Sequence, residues 1–180
     1  MDYEYVTAED LSQKNWNIDG PIMAMPFVEA TLAKRAAELA AKRASAKGLI
    51  LAIEDTQQLG FVNCVNQAFA ATISPFFGYM AQDAFAGRDW MALALQVLHL
   101  QRGVLLAFND GKWHGALAAF GLANRAWACE NYDDGRFFLP HYKRHYADTE
   151  LTLLAMQAKG FVYQPNSLLV EVDWGKDQAQ

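Results

Sequence analysis

The chain has 180 residues, of which 53% are hydrophobic, 13% aromatic and 19% charged, and its formal net charge is −5. This length and composition predict one globular domain with a sizeable core and exclude a disordered chain. Lysine and arginine form no basic stripe, so we expect no nucleic-acid partner. The apolar runs fall far short of the ~20 residues that a transmembrane helix needs.

The N-terminal sequence joins no basic segment to an apolar core. We therefore expect no signal peptide and a soluble, cytoplasmic protein. Cys64 and Cys129 lie far apart in two predicted helices, without CxxC spacing. A disulfide or a shared metal is one interpretation, and two buried free thiols in a reducing compartment is the one that we favour.

The first two thirds of the chain alternate strands with helices. Residues 1–20 are polar and predict an irregular segment that ends in a turn. The predicted order is then strand 22–27, helix 29–46, strand 49–53, helix 61–72, strand 76–80, helix 89–100 and strand 104–108. Continuously apolar strands are typical of sheets covered on both faces. The alternation predicts an α/β fold with a mostly parallel, Rossmann-like central sheet flanked by helices.

This alternation ends at the turn signal Asn109-Asp110-Gly111. The pattern after it predicts a strand at 117–122, helices at 124–130 and 148–159, and strands at 161–163 and 168–172. We therefore predict a single domain over residues 21–175 with a small mixed β portion at its C-terminal end, followed by a polar tail at 176–180.

Several common catalytic motifs are missing from the sequence. It contains no GxGxxG, no GxxxxGK[ST] and no GxSxG, which disfavours a Rossmann dehydrogenase, a P-loop enzyme and an α/β-hydrolase. Its histidines lack HExxH spacing. His141 and His145 are four residues apart, but the proline and aromatic residues around them favour a loop over a zinc-binding helix.

An acidic residue follows three of the predicted strands: Asp55, Asp83 and Asp110. Open α/β sheets bind ligands at the carboxyl ends of their strands, and carboxylates can hold a divalent cation against a diphosphate. Aspartate in such loops also caps helices and forms turns. We interpret Asp110 as a turn residue, and for Asp55 and Asp83 both interpretations stay open.

A second acidic pair, Asp148 and Glu150, stands where the last predicted helix begins. Asp148 can be the helix N-cap, and Glu150 is favoured by the helix dipole. Alternatively, Asp148 is a general base that the helix start holds at a cleft.

Five segments carry a resemblance to a known family. The first two are Ile22–Phe27, a strand that ends near a proline, and Asn63–Ala68, a helix segment with an asparagine before a small residue. Tyr79–Trp90 joins a strand to Ala-Gln-Asp and a tryptophan, Asn124–Phe138 contains Asn-Arg-Ala-Trp and Asp-Asp-Gly-Arg-Phe-Phe, and Asp148–Pro165 begins with Asp-Thr-Glu-Leu. The first two resemble the opening strand and the asparagine-bearing helix of the family-2 inverting glycosyltransferases, which have the GT-A fold. In this order the other three resemble the "DxD … p-x-W", "RR-x-x-F … GG-F-D-E-x-F" and "E-D-T-D-L-x-x-R … G-y … v-P" segments of that family. The resemblance covers residues 21–173.

The resemblance implies a small glycosyltransferase of the hexosyltransferase type that uses a nucleotide-diphospho-sugar, with a UDP-sugar as the first choice. Asp55 would contact the nucleotide base or ribose, and Asp83 would bind Mn²⁺ or Mg²⁺ that bridges the donor diphosphate. Asp148 would deprotonate the acceptor hydroxyl for direct displacement with inversion. Asn66 and Glu150 would complete the nucleotide-sugar site.

The sequence also departs from the family pattern. Ala81 replaces the first acid of DxD, and Ala147 replaces the glutamate that usually precedes the catalytic aspartate. A late histidine that often completes the metal site is absent, and Glu171 or Asp173 stands nearby instead. These departures favour an alternative function, a catalytically impaired nucleotide-sugar-binding or interaction protein with the same fold. An α/β domain with unrelated chemistry is a third interpretation, since fold does not fix function.

Overall fold

An eight-stranded sheet forms the centre of the fold. The structure is a computed structural model, and it describes residues 1–132, 134–142 and 145–172. The strands are β1 (Asp2–Thr7), β2 (Trp16–Asn17), β3 (Ile22–Phe27), β4 (Leu49–Glu54), β5 (Thr72–Ile73), β6 (Phe76–Tyr79), β7 (Ala84–Ala86), β8 (Leu105–Asn109), β9 (Gly121–Asn124) and β10 (Phe161–Glu171). The α-helices are α1 (Ala30–Arg43), α2 (Phe61–Ala71), α3 (Trp90–Gln101), α4 (Arg125–Glu130) and α5 (Ala147–Gln157).

The strand order of the main sheet is β1-β4-β3-β6-β9-β8-β10-β7, and β2 pairs with β5 in a separate ribbon. Neighbours β1, β4, β3 and β6 run parallel, as do β8 and β10. Strand β9 lies antiparallel between β6 and β8, and β7 lies antiparallel to β10. The predicted single α/β domain with a largely parallel sheet and a mixed C-terminal portion is confirmed.

Helices cover both faces of the sheet, because successive residues of each strand point to opposite sides. In β3, Met23 and Met25 join the core beneath α1 and α3, whereas Ile22 and Ala24 join the core beneath α2 and α5. All four of these side chains are fully buried. This two-sided burial explains why the central strands read as continuous apolar runs.

The prediction of an irregular segment at 1–20 is wrong in two places, because β1 pairs in parallel with β4 along Asp2–Thr7 and β2 pairs with β5 at Trp16–Asn17. Tyr3 and Tyr5 are both more than 40% exposed. An edge strand that is open to solvent carries no continuous apolar run, so β1 lacks the pattern that marks the central strands.

Three further predictions are corrected. The strand expected at 117–122 lies at Gly121–Asn124, and the two C-terminal strands are one strand, β10, whose pairing with β8 shifts register between Gln164 and Leu168. Cys64 is buried as predicted, but Cys129 is exposed. The predicted tail at 176–180 lies outside the described residues. Within the described parts of the chain, no helix has both the length and the apolar character needed to cross a bilayer.

Trp90 joins three elements on one face of the sheet. Its side chain is fully buried, its indole N–H donates to the Ala40 carbonyl at 2.9 Å, and its ring lies 5.2 Å from that of Phe108. We expect Trp90→Ala to lower the free energy of unfolding by about 3–5 kcal/mol, because it removes a large buried ring and leaves a cavity. Urea-induced unfolding measures this loss.

The matched control is Leu100→Ala on the same helix, where the leucine is 75% exposed. This substitution should change the free energy of unfolding by less than about 0.5 kcal/mol. Equal losses for the two variants would contradict the assignment of Trp90 to the core.

Candidate functional site

Two cavities lie side by side at the edge of the sheet where the parallel strands end. Cavity A, of about 530 Å³, is formed by residues that follow β3, β4 and β6, and its wall includes Phe27, Asp55, Ala81, Asp83 and Glu171. This is the edge at which open α/β sheets bind ligands. Two of the predicted donor-site residues, Asp55 and Asp83, thus share one cavity.

Asp55 holds the loop that leads into α2. One carboxylate oxygen accepts a hydrogen bond from the Leu59 amide and the other accepts one from the Gly60 amide, both at 2.8 Å. Burial, together with the nearby Asp55 carboxylate, raises the pKa of the Cys64 thiol to about 12, so this cysteine is a neutral thiol. Asp55 therefore has a structural role, and its contact with a nucleotide stays a prediction.

The Ala-Gln-Asp triplet connects cavity A to two neighbouring elements. The Gln82 side-chain oxygen accepts hydrogen bonds from the backbone amides of Val28 and Glu29, just before α1 begins. Amides at the start of a helix have no acceptor within the helix, and Gln82 supplies one. The Asp83 carbonyl accepts from the Val172 amide at 3.3 Å, and Ala84 pairs with Glu171 in the antiparallel ladder. This pairing brings Glu171 next to Asp83.

Asn66, predicted to bind the nucleotide-sugar, uses its side chain within the protein. Its amide oxygen accepts from the backbone N–H groups of Phe137 and Phe138, and its amide nitrogen donates to the Phe138 carbonyl at 2.9 Å. Both phenylalanines are buried and pack against Tyr79. Asn66 thus fixes this aromatic segment beneath α2.

Cavity B, of about 460 Å³, contains Asp148 and adjoins cavity A. Helix α5 begins at Ala147 with Tyr146 as its N-cap, so the alternative that Asp148 caps the helix is wrong. The Asp148 carboxylate accepts from the Thr149 amide at 2.9 Å. Burial raises the pKa of Asp148 above its ordinary value, although the Thr149 hydrogen bond and the charge of His145 oppose this shift.

A chain of hydrogen bonds ties the start of α5 to the sheet. The buried Tyr79 hydroxyl donates to the Ala118 carbonyl at 2.5 Å, and the Ala118 amide donates to the Thr152 hydroxyl at 3.1 Å. The Thr152 hydroxyl in turn donates to the Asp148 carbonyl at 2.7 Å. These bonds hold the backbone of Asp148 in a fixed position relative to β6.

Glu150, the other acid of this turn, lines neither cavity. Its carboxylate accepts from the Tyr132 hydroxyl at 2.9 Å, and burial together with this bond raises the pKa of Tyr132. The prediction that Glu150 binds the nucleotide-sugar stays a prediction. The observed contact anchors the segment after α4 to α5.

Glu171 belongs to the walls of both cavities. In the sequence its one indication of a role is its position near the place where the resembling family often has a metal-binding histidine. It ends β10, and its carboxylate forms an ion pair with the Lys112 ammonium. Asp83 and Asp148 therefore face separate cavities that meet at Glu171. No single sequence motif could indicate this arrangement, because it depends on the pairing of β10 with β7.

The divalent metal that the resemblance implies would need carboxylate ligands at this site. In the described ranges, no group of three or more His, Cys, Asp or Glu side chains could hold a metal ion. Asp83 and Glu171 do share cavity A, and Mg²⁺ is often held by one or two carboxylates together with substrate phosphates. These residues therefore fit a divalent cation only in company with a phosphate-bearing ligand. Asp173, the other candidate, lies outside the described residues.

Comparison with known proteins yields structural neighbours only. No protein-family model matches the chain, and no curated protein matches it. The mannosyltransferase PcManGT from Pyrobaculum calidifontis, solved in complex with GDP-Man and Mn²⁺, superposes with a TM-score of 0.65 at 14% identity over 93% of this chain and 64% of that chain. Residues 1–349 of TarS from S. aureus superpose with a TM-score of 0.67 at 9% identity, over 85% of this chain and 60% of that chain.

The chain has a GT-A-like fold. This confirms the fold-level resemblance to nucleotide-sugar glycosyltransferases. The chain spans less than two thirds of the length of either neighbour. At these identities the likeness concerns the fold alone, so substrates and residue roles have to be argued from the cavities themselves.

Asn66→Ala should destabilise the protein by about 1–3 kcal/mol, because two backbone N–H groups of the Phe137–Phe138 segment lose their acceptor. The control is Asn63→Ala, one turn away on α2, whose exposed side chain donates only to the Leu59 carbonyl. It should lose less than about 1 kcal/mol. Urea unfolding compares the two variants, and a larger loss of stability for the control would contradict the role of Asn66 in fixing the Phe137–Phe138 segment.

The raised pKa of Asp148 predicts a pH-dependent stability. A carboxyl group whose pKa is higher in the folded than in the unfolded protein destabilises the fold as pH rises through that interval. The stability of Asp148→Asn relative to the wild type should therefore increase as pH rises above the ordinary value of 3.8 and then level off. Chemical unfolding at a series of pH values measures this difference, and a decrease with rising pH would contradict it.

Proposed function

We propose that the protein is a glycosyltransferase that takes a sugar from a nucleotide-diphospho-sugar in cavity A and transfers it to a hydroxyl of an acceptor in cavity B. The observation that carries this proposal is the shared wall at Glu171, which sets the cavity of Asp83 beside the cavity of Asp148. A UDP-sugar is our first choice of donor. The fold of the neighbours, one of which was solved with GDP-Man and Mn²⁺, supports this class of donor.

In cavity A, the proposed donor lies along the ends of β3, β4 and β6. Asp55 would face its nucleoside, while the hydrogen bonds of Asp55 to the Leu59 and Gly60 amides keep the loop in place. Asp83 and Glu171 would hold Mn²⁺ or Mg²⁺ together with the diphosphate. When bound, this cation would neutralise the charge that develops on the leaving diphosphate.

In cavity B, Asp148 is the proposed general base. Its partial burial raises its pKa towards the range in which a carboxylate accepts a proton effectively. The proton of the acceptor hydroxyl would pass to Asp148 as the acceptor oxygen bonds to the anomeric carbon. The bond from that carbon to the diphosphate oxygen breaks at the same time, and the nucleoside diphosphate leaves. Attack from the side opposite the leaving group inverts the configuration.

A second candidate function is a nucleotide-sugar-binding protein without catalysis. Ala81 and Ala147 favour it, because each stands where the resembling family has an acid. Both candidate functions need a nucleotide-sugar in cavity A, but only the glycosyltransferase needs Asp148 as a general base. Hydrolysis of UDP-glucose or GDP-mannose above the buffer rate favours the enzyme, and its absence together with binding favours the binding protein.

Donor binding is tested by titrating UDP and GDP, each with and without Mn²⁺, against the wild type. At least one nucleotide should bind more tightly with Mn²⁺, and Asp83→Ala should remove this gain, because the variant lacks a carboxylate of cavity A. Asp134→Ala, at an exposed aspartate that lines neither cavity, is the control and should bind like the wild type. If no nucleotide binds, or if Asp83→Ala binds as tightly as the wild type, the donor site is wrong.

Catalysis is tested separately with Asp148→Asn. Donor turnover should fall by roughly 100-fold or more, because the amide cannot accept the hydroxyl proton. Nucleotide affinity should stay unchanged, since Asp148 lines cavity B alone. Turnover by this variant at the wild-type rate would show that Asp148 is not the base.

A further inference from the structure

Asp110 carries a feature that neither the fold nor the proposed chemistry explains. It directly follows β8 and is only 2% exposed. One carboxylate oxygen, Oδ1, accepts from the amides of Lys112 and Trp113, both at 2.9 Å. These bonds form the turn that the sequence predicts at Asn-Asp-Gly. They leave Oδ2 to be accounted for.

The Oδ2 atom of Asp110 is buried and has no hydrogen-bond partner in the described parts of the chain. Buried carboxylate oxygens are nearly always hydrogen-bonded, because an unpaired one loses its hydration without compensation. A turn needs only Oδ1, and an asparagine would form it equally well. An acidic residue with a second, unpaired oxygen indicates that this position receives a donor from outside the protein.

Asp110 lies in the wall of cavity B together with Asp148 and Trp113. The Trp113 side chain is 52% exposed although it is large and apolar. The cavity therefore offers two exposed aromatic side chains, Trp113 and Tyr146, and three carboxylates. Of its cationic groups, Lys112 is already paired with Glu171. This combination suits a neutral molecule that carries several hydroxyl groups and has an apolar face, and it disfavours an anion such as phosphate.

We propose, on the basis of the proposed transferase function, that cavity B binds a saccharide acceptor. A pyranose ring would lie with its C–H face against Trp113 and donate one hydroxyl hydrogen to Asp110 Oδ2, while another hydroxyl faces Asp148. Asp110 is then a specificity-determining residue, because it selects an acceptor with a hydroxyl at the position that reaches Oδ2. The cavity of about 460 Å³ has the size of ordinary small-ligand sites.

The test uses binding alone, without donor or turnover. Methyl glycosides of glucose, galactose, mannose and N-acetylglucosamine, with lactose, maltose and cellobiose, are screened against the full chain by saturation-transfer NMR. At least one sugar should bind the wild type. Asp110→Asn keeps the acceptor atom of the turn and replaces Oδ2 by a donor, so the affinity should fall by about tenfold or more without loss of thermal stability.

Two variants complete the design. Trp113→Ala should abolish the saturation transfer to the ring protons of the sugar, because it removes the stacking face. Asp134→Asn is the matched control, since its carboxylate also accepts a backbone amide two residues on, from Arg136, but lies on the surface. It should bind sugar like the wild type.

The inference is overturned if no sugar binds at 10 mM, or if Asp110→Asn and Trp113→Ala bind as tightly as the wild type. Its failure differs from that of the proposed function. Nucleotide binding without sugar binding would reject only the saccharide acceptor. Sugar binding that depends on Asp110, in a protein that binds no nucleotide, would support the saccharide site and reject the donor site.

Discussion

The arrangement of the two cavities depends on the pairing of one strand. Strand β10 runs parallel to β8 over Phe161–Gln164, shifts register, and then pairs antiparallel with β7 over Leu169–Glu171. Because β7 directly follows Asp83, this second pairing brings the end of β10 to the cavity of Asp83. It also sets Glu171 between that cavity and the cavity of Asp148. Without this change of pairing partner, the cavities of Asp83 and Asp148 would not share Glu171.

Cavity B contains two carboxyl groups whose burial lowers the stability of the fold. The links from Tyr79 through Ala118 and Thr152 fix the backbone of Asp148, and burial raises the pKa of its carboxyl group. A buried carboxylate of this kind is unfavourable for folding at neutral pH. The unpaired oxygen of Asp110 in the same cavity is unfavourable for the same reason. Two such features in one cavity are typical of a site shaped for a ligand.

Much of the fold could be predicted from the sequence, because the central strands are buried on both faces and read as apolar runs. The edge strand β1 and the three-residue β7 lacked that signal, since β1 is half exposed and β7 is too short. The shared cavity of Asp55 and Asp83 could also be predicted, because each follows a strand and the carboxyl ends of parallel strands meet at one edge of the sheet. The roles of Glu171 and Asp110 could not be predicted, because they depend on the β7–β10 pairing and on burial, which no local motif records. The interpretation of Asp110 as a turn residue is confirmed by its hydrogen bonds from the Lys112 and Trp113 amides, but this turn accounts for only one of its oxygens.

The central claim is that cavities A and B are two halves of one active site that meet at Glu171. A crystal structure of the protein soaked with UDP and Mn²⁺ tests it most directly. The account predicts nucleotide density in cavity A, with the nucleoside near Asp55 and the diphosphate extending past Asp83 towards Glu171. Density confined to the neighbouring cavity beside Tyr5 and Trp16, which shares Phe27 with cavity A, or a diphosphate that points away from Glu171, would contradict it.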